Sequence, residues 1–388
     1  MMTSARIEPT LLRKLNERRV LELIQQRGPL SRATVTRISG MSAPTVSKAV
    51  ASLLEAGLLE EIDAPVAAFG RPAKLVRLAA ASAQVLGVVI EPGQTWVVAS
   101  GIDGRIDPSR SKAFPTSGDY ETLIDRISAE LQHLREDIAG EVHGVGLTVP
   151  GLMHATTAKV LISPNLHLLD DHAPGEDLAA RTGLNCVALQ ESHALCVGEK
   201  MFGDARGLND FAMMDVSTGL GLGVMSGGRL LTGHSGLAGE LGHITVAPNG
   251  ILCGCGNRGC LETLATDAAL ARAISARMGQ TVEISDVVQL IREGTVDARQ
   301  ELDQVAEYLA IACAAVINIF NPTAFFVHGA LFAAADHLFE LVLERTQSRA
   351  LKPSLADCRV VQARGSKQQA AIAGILRHLT HSWAPTLS

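Results

Sequence analysis

Apolar positions recur with helical spacing in the first eighty residues. Leu11, Leu12, Leu15, Val20, Leu23 and Ile24 mark one face of a first helix that Thr10 is placed to cap, and Gly28-Pro29 ends it. Ser31 opens a second, short helix to about Ser39, and Gly40-Met41 turns the chain. Ser42 caps a third helix, with Pro44 tolerated in its first turn. Val46, Val50, Leu53 and Leu54 form its inward stripe, while Thr45, Ser47, Lys48 and Ser52 face outward. Two short helices around a glycine turn, the second with a polar N-terminal face, make a helix-turn-helix pattern. Residues 58–62 and 75–78 read as the two strands of a wing joined through Gly70-Arg71-Pro72. Arg71 at that tip is placed to enter a narrow minor groove. The alternative for this segment is a small helical protein-interaction domain.

Beyond residues 79–84, which read as a linker, the pattern changes. Short apolar runs at 85–90, 95–99, 142–149, 186–190 and 211–216 have strand character. Helical patterns cover 120–136 and the stretch from Glu191 through Lys200. The last third is mostly helical, at 267–278, 285–292, 298–320, 333–351 and 368–378, interrupted by one strand at 323–328. Strands alternating with helices predict an open α/β fold with crevices at the strand ends. The expected division is a winged helix-turn-helix domain over residues 1–80 and an α/β body over 81–388. The run Ser217-Thr218-Gly219-Leu220-Gly221-Leu222-Gly223 follows one of the strands. It reads either as a backbone cradle for a phosphate or as a tight bend between strands.

Charge sharpens this division. The chain of 388 residues carries a formal charge of −6, but residues 1–80 hold twelve Lys+Arg against seven Asp+Glu. A basic head of +5 on a body of −11 suggests a polyanion partner for the head alone. No apolar run is expected to be long enough to span a bilayer, and the first thirty residues lack a signal-peptide core. Seven cysteines, four of them (Cys186, Cys196, Cys313, Cys358) scattered through apolar stretches, fit a reducing cytoplasm better than a disulfide framework.

The densest chemistry lies in residues 236–262. His243, Cys253, Cys255 and Cys260 are four soft-metal ligands with Gly254, Gly256 and Gly259 between the thiols. Zn²⁺ takes such thiolate and imidazole ligands in a closed tetrahedral set when its role is structural, and four protein ligands leave no open position for catalysis. The bland alternative is three buried free cysteines and an ordinary histidine. Two carboxylates flank the cluster, Glu240 and Glu262.

At these residues the body resembles the ROK family of repressors, open reading frames and sugar kinases. The motifs are Val149-Pro150-Gly151, Ser163-Pro164-Asn165-Leu166, Ser217-Thr218-Gly219-Leu220-Gly221, Gly239-Glu240-Leu241-Gly242-His243 and Cys253 through Glu262. The resemblance covers residues 10–380. It implies a two-lobed actin-like sugar-kinase fold, a structural zinc at His243, Cys253, Cys255 and Cys260, and assembly as dimers or tetramers. It also implies a sugar site between the lobes that includes Gly151, Asn165, Glu191, Glu240, His243 and Glu262. His243 would bind zinc through one ring nitrogen and reach the sugar through the other. For Glu240 and Glu262 the alternative is a supporting role around the zinc loop.

Three departures from the kinase members bear on activity. Gln190-Glu191 stands where an Asn-Asp pair supplies the base, and the extra methylene displaces the carboxylate by an amount that can cost about 10²-fold. Val89 replaces the aspartate of the first phosphate loop, followed by Glu91 and Pro92, and His328-Gly329-Ala330 replaces a late glycine pair. With all three changed, the resemblance implies that phosphoryl transfer is lost and sugar sensing remains. The expected function is a sugar-responsive transcription regulator, a repressor, binding a pseudo-palindromic operator through Ser42, Thr45, Ser47, Lys48 and Arg71. Its effector would be a sugar or sugar phosphate. The rival is an active sugar kinase with an appended head, and some relatives also imply control by a transporter component.

Overall fold

The computed structural model describes residues 9–64 and 74–383. The head begins with helix α1 (Pro9–Arg27), already helical at Pro9, so Thr10 lies inside the helix rather than capping it. Proline suits a first helical turn, where its missing N–H has no partner to lose. Strand β1 (Leu30–Ser31) leads into α2 (Arg32–Ser39), α3 (Ala43–Glu55), β2 (Leu59–Asp63) and β3 (Lys74–Leu78). Ser31 caps α2, its Oγ accepting from the Thr34 amide at 3.1 Å, and Gly40 at φ +72° ends that helix. Ser42 caps α3 in the same way. β3 pairs antiparallel with both β1 and β2, giving a three-stranded wing sheet. On α3 the buried residues are Val46, Ala49, Val50 and Leu53; Leu54 is only half-buried and Ala49 takes its place in the stripe.

The body holds two five-stranded sheets of matching design. In the first, β4 (Ala83–Ile90), β5 (Gln94–Gly101) and β6 (Ile106–Pro115) form an antiparallel meander, and β7 (Glu141–Val149) and β10 (Cys186–Gln190) add in parallel. In the second, β11 (Phe211–Asp215), β12 (Gly221–Ser226) and β13 (Arg229–Leu230) form the meander, and β14 (Ala324–His328) and β15 (Arg359–Gln362) add in parallel. A two-stranded ribbon, β8 (Leu152–Met153) and β9 (Val160–Ile162), follows β7. Helices α4 (Tyr120–Asp137) and α5 (Pro174–Thr182) share a core with the first sheet. Helices α7 (Asp267–Met278), α8 (Ile284–Arg292), α9 (Arg299–Phe320) and α10 (Leu338–Gln347) share one with the second, and short α11 (Lys352–Ala356) precedes β15. The remaining helices, α6 (Glu191–Phe202) and α12 (Lys367–Trp383), pack on each other and touch strands of both sheets.

Several expectations are corrected here. Strands β6 and β15 were not foreseen. The helix expected over 333–351 is confined to Leu338–Gln347; a separate 3-10 turn at Ala330–Ala333 precedes it, held by Asp267, which accepts from the Ala330 amide at 3.0 Å and the Leu331 amide at 2.7 Å. By length and composition α9 is apolar enough to cross a membrane, contrary to the sequence reading. Its inward face (Leu302, Val305, Leu309, Cys313, Val316 and Ile317) is instead buried in the core of the second sheet. The stretch 79–84 is no flexible linker. The Ala83 amide bonds to the Ala79 carbonyl at 2.8 Å, Ala79 and Ala83 are buried, and β4 begins at Ala83.

Head and body share one apolar core. Val20, Leu21, Leu23 and Ile24 of α1 belong to the same buried cluster as Val85, Val98 and the α12 residues Ile372, Ile375 and Leu376. At its rim Arg18 Nη2 lies 3.1 Å from His381 Nε2, and Gln25 Nε2 lies 3.5 Å from Thr380 Oγ1. Gly146 of β7 lets α12 approach: a Cβ there would fall 1.9 Å from the Ala371 carbonyl oxygen.

Candidate functional site

The ligand-rich loop folds as the glycine spacing requires. Gly256 and Gly259 take φ of +90° and +65°, which only glycine adopts freely. The Cys253 amide bonds to the Asn257 carbonyl at 2.8 Å, and the bridge between Thr245 and Cys260 closes the loop on the His243 segment. One ligand atom from each of His243, Cys253, Cys255 and Cys260 lies within 4.8 Å of all the others. Cys253 Sγ is 3.7 Å from His243 Nδ1, and Cys255 Sγ is 3.7 Å from Cys260 Sγ. A tetrahedral Zn²⁺ with bonds of about 2.3 Å to sulfur sets ligand atoms about 3.8 Å apart. The donor set therefore fits one such ion in both chemistry and spacing.

The other ring nitrogen faces a cavity. His243 Nε2 is 3.8 Å from Glu240 Oε2, on the side away from the thiols. The cavity holds about 480 Å³, its mouth included, and is lined by Gly151, Asn165, Glu191, Glu240, His243 and Glu262. All six residues expected at a sugar site thus meet in one place, although 111 positions separate the first from the last. Gln190, Asp215 and Ser163 also line it. Gln190 Nε2 donates to Glu240 Oε1 at 2.6 Å, and the Leu220 amide donates to Glu262 Oε2 at 3.3 Å. Burial raises the Glu240 carboxyl above its ordinary range against the opposing pull of Gln190 and His243.

The glycine run divides its work. A Cβ on Gly219 would come within 3.0 Å of both Asn165 Nδ2 and Glu262 Oε2, so this glycine keeps the gap between those side chains open. Gly221 and Gly223 instead let β12 press on α6, where a Cβ would meet Ser192 at 2.9 Å and 2.5 Å. The run is a cavity wall and a packing seam. The loops meet again at Gly254, whose Cβ would fall 2.0 Å from the Pro164 carbonyl oxygen, seating the thiol loop on the Asn165 loop.

Lys367, the first residue of α12, was not anticipated. Its Nζ lies 2.8 Å from Glu91 Oε1, 2.7 Å from Glu191 Oε1, 2.8 Å from Ser217 Oγ and 3.5 Å from Asp215 Oδ2. Burial works against the charged ammonium, but Asp215, Glu191 and Glu91 outweigh it and raise Lys367 well above its ordinary range. Burial also pushes Glu191 up. For Asp215 burial is overridden by Lys367 and by His328, whose Nδ1 is 2.8 Å from Oδ1, so this carboxyl sits well below its usual range. Of the three positions expected to depart from the kinase pattern, Val89 is fully buried in β4, Glu191 is tied to Lys367, and His328 is tied to Asp215. Two signals in the sequence were available. Asp215 ends an otherwise apolar strand at its carboxyl end, where open α/β sheets place their ligands. Lys367 is a cation in the first turn of a helix, where the dipole disfavours it.

On the head, Ser42, Ser47 and Lys48 are exposed and Thr45 is half-buried. Ser42 Oγ and Thr45 Oγ1 lie 2.8 Å apart, so part of their hydrogen-bonding capacity goes to the cap. Lys48 and Thr45 border an open groove between α1 and α3 with Arg13 and Asn16. Arg71 lies outside the described residues.

A winged helix fused to a twin-sheet body with a carboxylate-lined cavity defines a DNA-binding regulator built on a sugar-kinase frame. The model of the ROK family matches residues 88–380, and that of the MarR family matches residues 14–67. The chain belongs to the ROK family. It is 26% identical over 345 residues to a xylose repressor of Bacillus spizizenii, covering 88% of this chain and 89% of the relative. It is also 26% identical over 369 residues to the transcriptional dual regulator NagC of Escherichia coli, covering 91% and 89%. Among solved structures, a ROK family transcriptional regulator homologous to the E. coli Mlc protein superimposes with a TM-score of 0.80 at 26% identity, covering 96% of this chain and 97% of that one. A ROK glucokinase from Streptomyces griseus, in complex with glucose and AMPPNP, gives 0.68 at 26% identity over 76% of this chain and 98% of that one.

Proposed function

We propose that this protein is a sugar-responsive transcriptional repressor without kinase activity. The observation that carries the reading is one chain in which a winged helix shares its core with a body whose cavity gathers Asn165, Glu240, His243 and Glu262. Carboxylates accept from sugar hydroxyls, an amide both donates and accepts, and a fixed imidazole adds one directed contact. The repressors among its relatives support the same assignment. Residues 1–80 form the DNA-reading domain and 81–388 the sensing and oligomerising domain. In a homodimer or homotetramer, paired α3 helices enter successive major grooves of a pseudo-palindrome about 10 bp apart. Ser42, Thr45, Ser47 and Lys48 face the duplex, and Arg71 extends the wing toward the minor groove. The protein works in the cytoplasm, where its operator lies.

Zn²⁺ held by His243, Cys253, Cys255 and Cys260 is structural. Bound there, it would supply a fixed charge that holds the loop closed, while His243 keeps Nε2 directed at the sugar. Phosphoryl transfer is given up because Glu191, at the base position, is engaged by Lys367 at 2.7 Å. The sugar changes DNA affinity only by as much as it prefers one arrangement of the lobes and head over the other.

Fluorescence anisotropy with operator fragments from the protein's own promoter region tests the reading. Release of DNA by a sugar, with no sugar-dependent ATP turnover in a coupled assay, is the expected result. Robust turnover would establish the kinase alternative instead.

A further inference from the structure

The cavity presents far more hydrogen-bond acceptors than donors. Glu191, Asp215, Glu240 and Glu262 bring four carboxylates to its wall, and among the described residues no lysine or arginine lines it. Gln190, nine-tenths buried, donates one amide N–H to Glu240 and leaves Oε1 without a partner. Ser163 Oγ, fully buried at the same wall, is also unpartnered. The nearest ammonium, on Lys367, stands behind Glu191 and only 7% of its side chain is exposed. Its three N–H groups already face Glu91, Glu191 and Ser217 at 2.7–2.8 Å, with Asp215 as a fourth acceptor at 3.5 Å.

We propose that Lys367 is a specificity-determining residue of this site, a fixed internal cation whose bonding capacity is exhausted by Glu91, Glu191 and Ser217, and that the effector is therefore an uncharged, unphosphorylated sugar. The inference rests on the sugar-sensing reading above and narrows its ligand class. A sugar hydroxyl brings an O–H to donate to each waiting carboxylate and to Gln190 Oε1. A phosphate monoester brings only acceptor oxygens and up to two negative charges near neutral pH. In this cavity those charges would face carboxylates, with no free N–H from Lys367 to receive them. Glu91, Glu191 and Asp215 around a single ammonium leave a local excess of two negative charges, reduced to one when His328 is protonated against Asp215. Lys367 thus holds the carboxylates in place without offering an anion a landing point.

Isothermal titration calorimetry on the full chain tests this with three pairs: glucose and glucose 6-phosphate, N-acetylglucosamine and its 6-phosphate, xylose and its 5-phosphate. In the pair that binds, the free sugar is expected to be at least about tenfold tighter, as two like charges a few ångströms apart in a partly buried site require. An ester that binds as well as or better than its parent sugar overturns the proposal and leaves sugar sensing intact. Silence from all six compounds overturns sugar sensing and this inference with it. The Glu91→Ala variant frees one N–H of Lys367 and removes one carboxylate that does not line the cavity, so the preference for the free sugar should shrink about threefold or more. An unchanged ratio means that Lys367 and its partners do not set the selectivity.

Discussion

Replacing Lys367 by methionine removes the ammonium, keeps most of the side-chain volume, and strands Glu91, Glu191 and Asp215 together. Breaking a buried ion pair by deleting one partner costs about 3–5 kcal/mol, because a buried charge is left uncompensated. Here one deletion strands three carboxylates, two of them within 2.8 Å of the lost nitrogen and the third at 3.5 Å. The upper part of that range applies. For a chain of 388 residues, at about 2.1 cal/mol/K of unfolding entropy per residue, the loss corresponds to a fall in melting temperature of roughly 5–6 °C at pH 7.5. The pH dependence gives a sharper signature. In the wild type, Asp215 sits below its ordinary pKa, so its stabilisation is present above the unfolded value and is lost only when acid reaches the folded one. Glu191 is pushed up by burial, so its charged form carries a penalty at neutral pH that acid relieves. Without the ammonium both carboxyls titrate higher and the folded variant takes up protons as the pH falls. Its deficit against the wild type therefore narrows between pH 7.5 and pH 5. Thermal melts or urea titrations of both proteins across that range are the measurement. A variant within about 1 kcal/mol of the wild type at pH 7.5, or a deficit that does not change with pH, would refute the reasoning.

Three further outcomes are expected. Cys255→Ser should abolish stoichiometric zinc in metal analysis and weaken both folding and operator binding; normal operator binding without metal would remove the structural-zinc assignment. His381 is held down to about 4 by burial and by Arg18, Arg377 and His378, so the wild type should lose stability as the pH falls from about 6.5 toward 4. His381→Gln should flatten that part of the melting profile, and an identical profile would show that the ring titrates freely. Lys48→Ala should weaken operator binding and lower the magnitude of the salt slope by about one, read by anisotropy at several ionic strengths. An unchanged slope would place Lys48 away from the phosphates.

Local signals were legible wherever the physics was local. Ser31 and Ser42 cap their helices as read, and the ladder between residues 59–63 and 74–78 pairs as a wing. The thiol loop could be read because glycines and ligands alternate within eight residues. The cavity was legible only through family likeness, since Gly151 and Glu262 come together through the fold of both lobes. Lys367 was invisible because its partner Glu91 is 276 positions away. Strand β6 escaped because only Phe114 of its residues is buried and half of them are polar, leaving no apolar alternation to read. The supposed linker misled for a related reason: small alanines at 79–83 look featureless in sequence, yet they let the backbone turn in close contact with buried neighbours.

The shared core across α1 and α12 bears on how such chains can be recombined. Ile372, Ile375 and Leu376 fill the space under Val20, Leu23 and Ile24, so the head does not end where its last strand ends. A head transplanted from a relative arrives with its own version of α1 and must fit a floor made by the far C-terminus. Recombinants that exchange only the first eighty residues should therefore lose stability in proportion to the mismatch at that floor. Exchanging the matching face of α12 along with them should restore it. The inheritable unit of operator recognition is thus split between the two ends of the polypeptide.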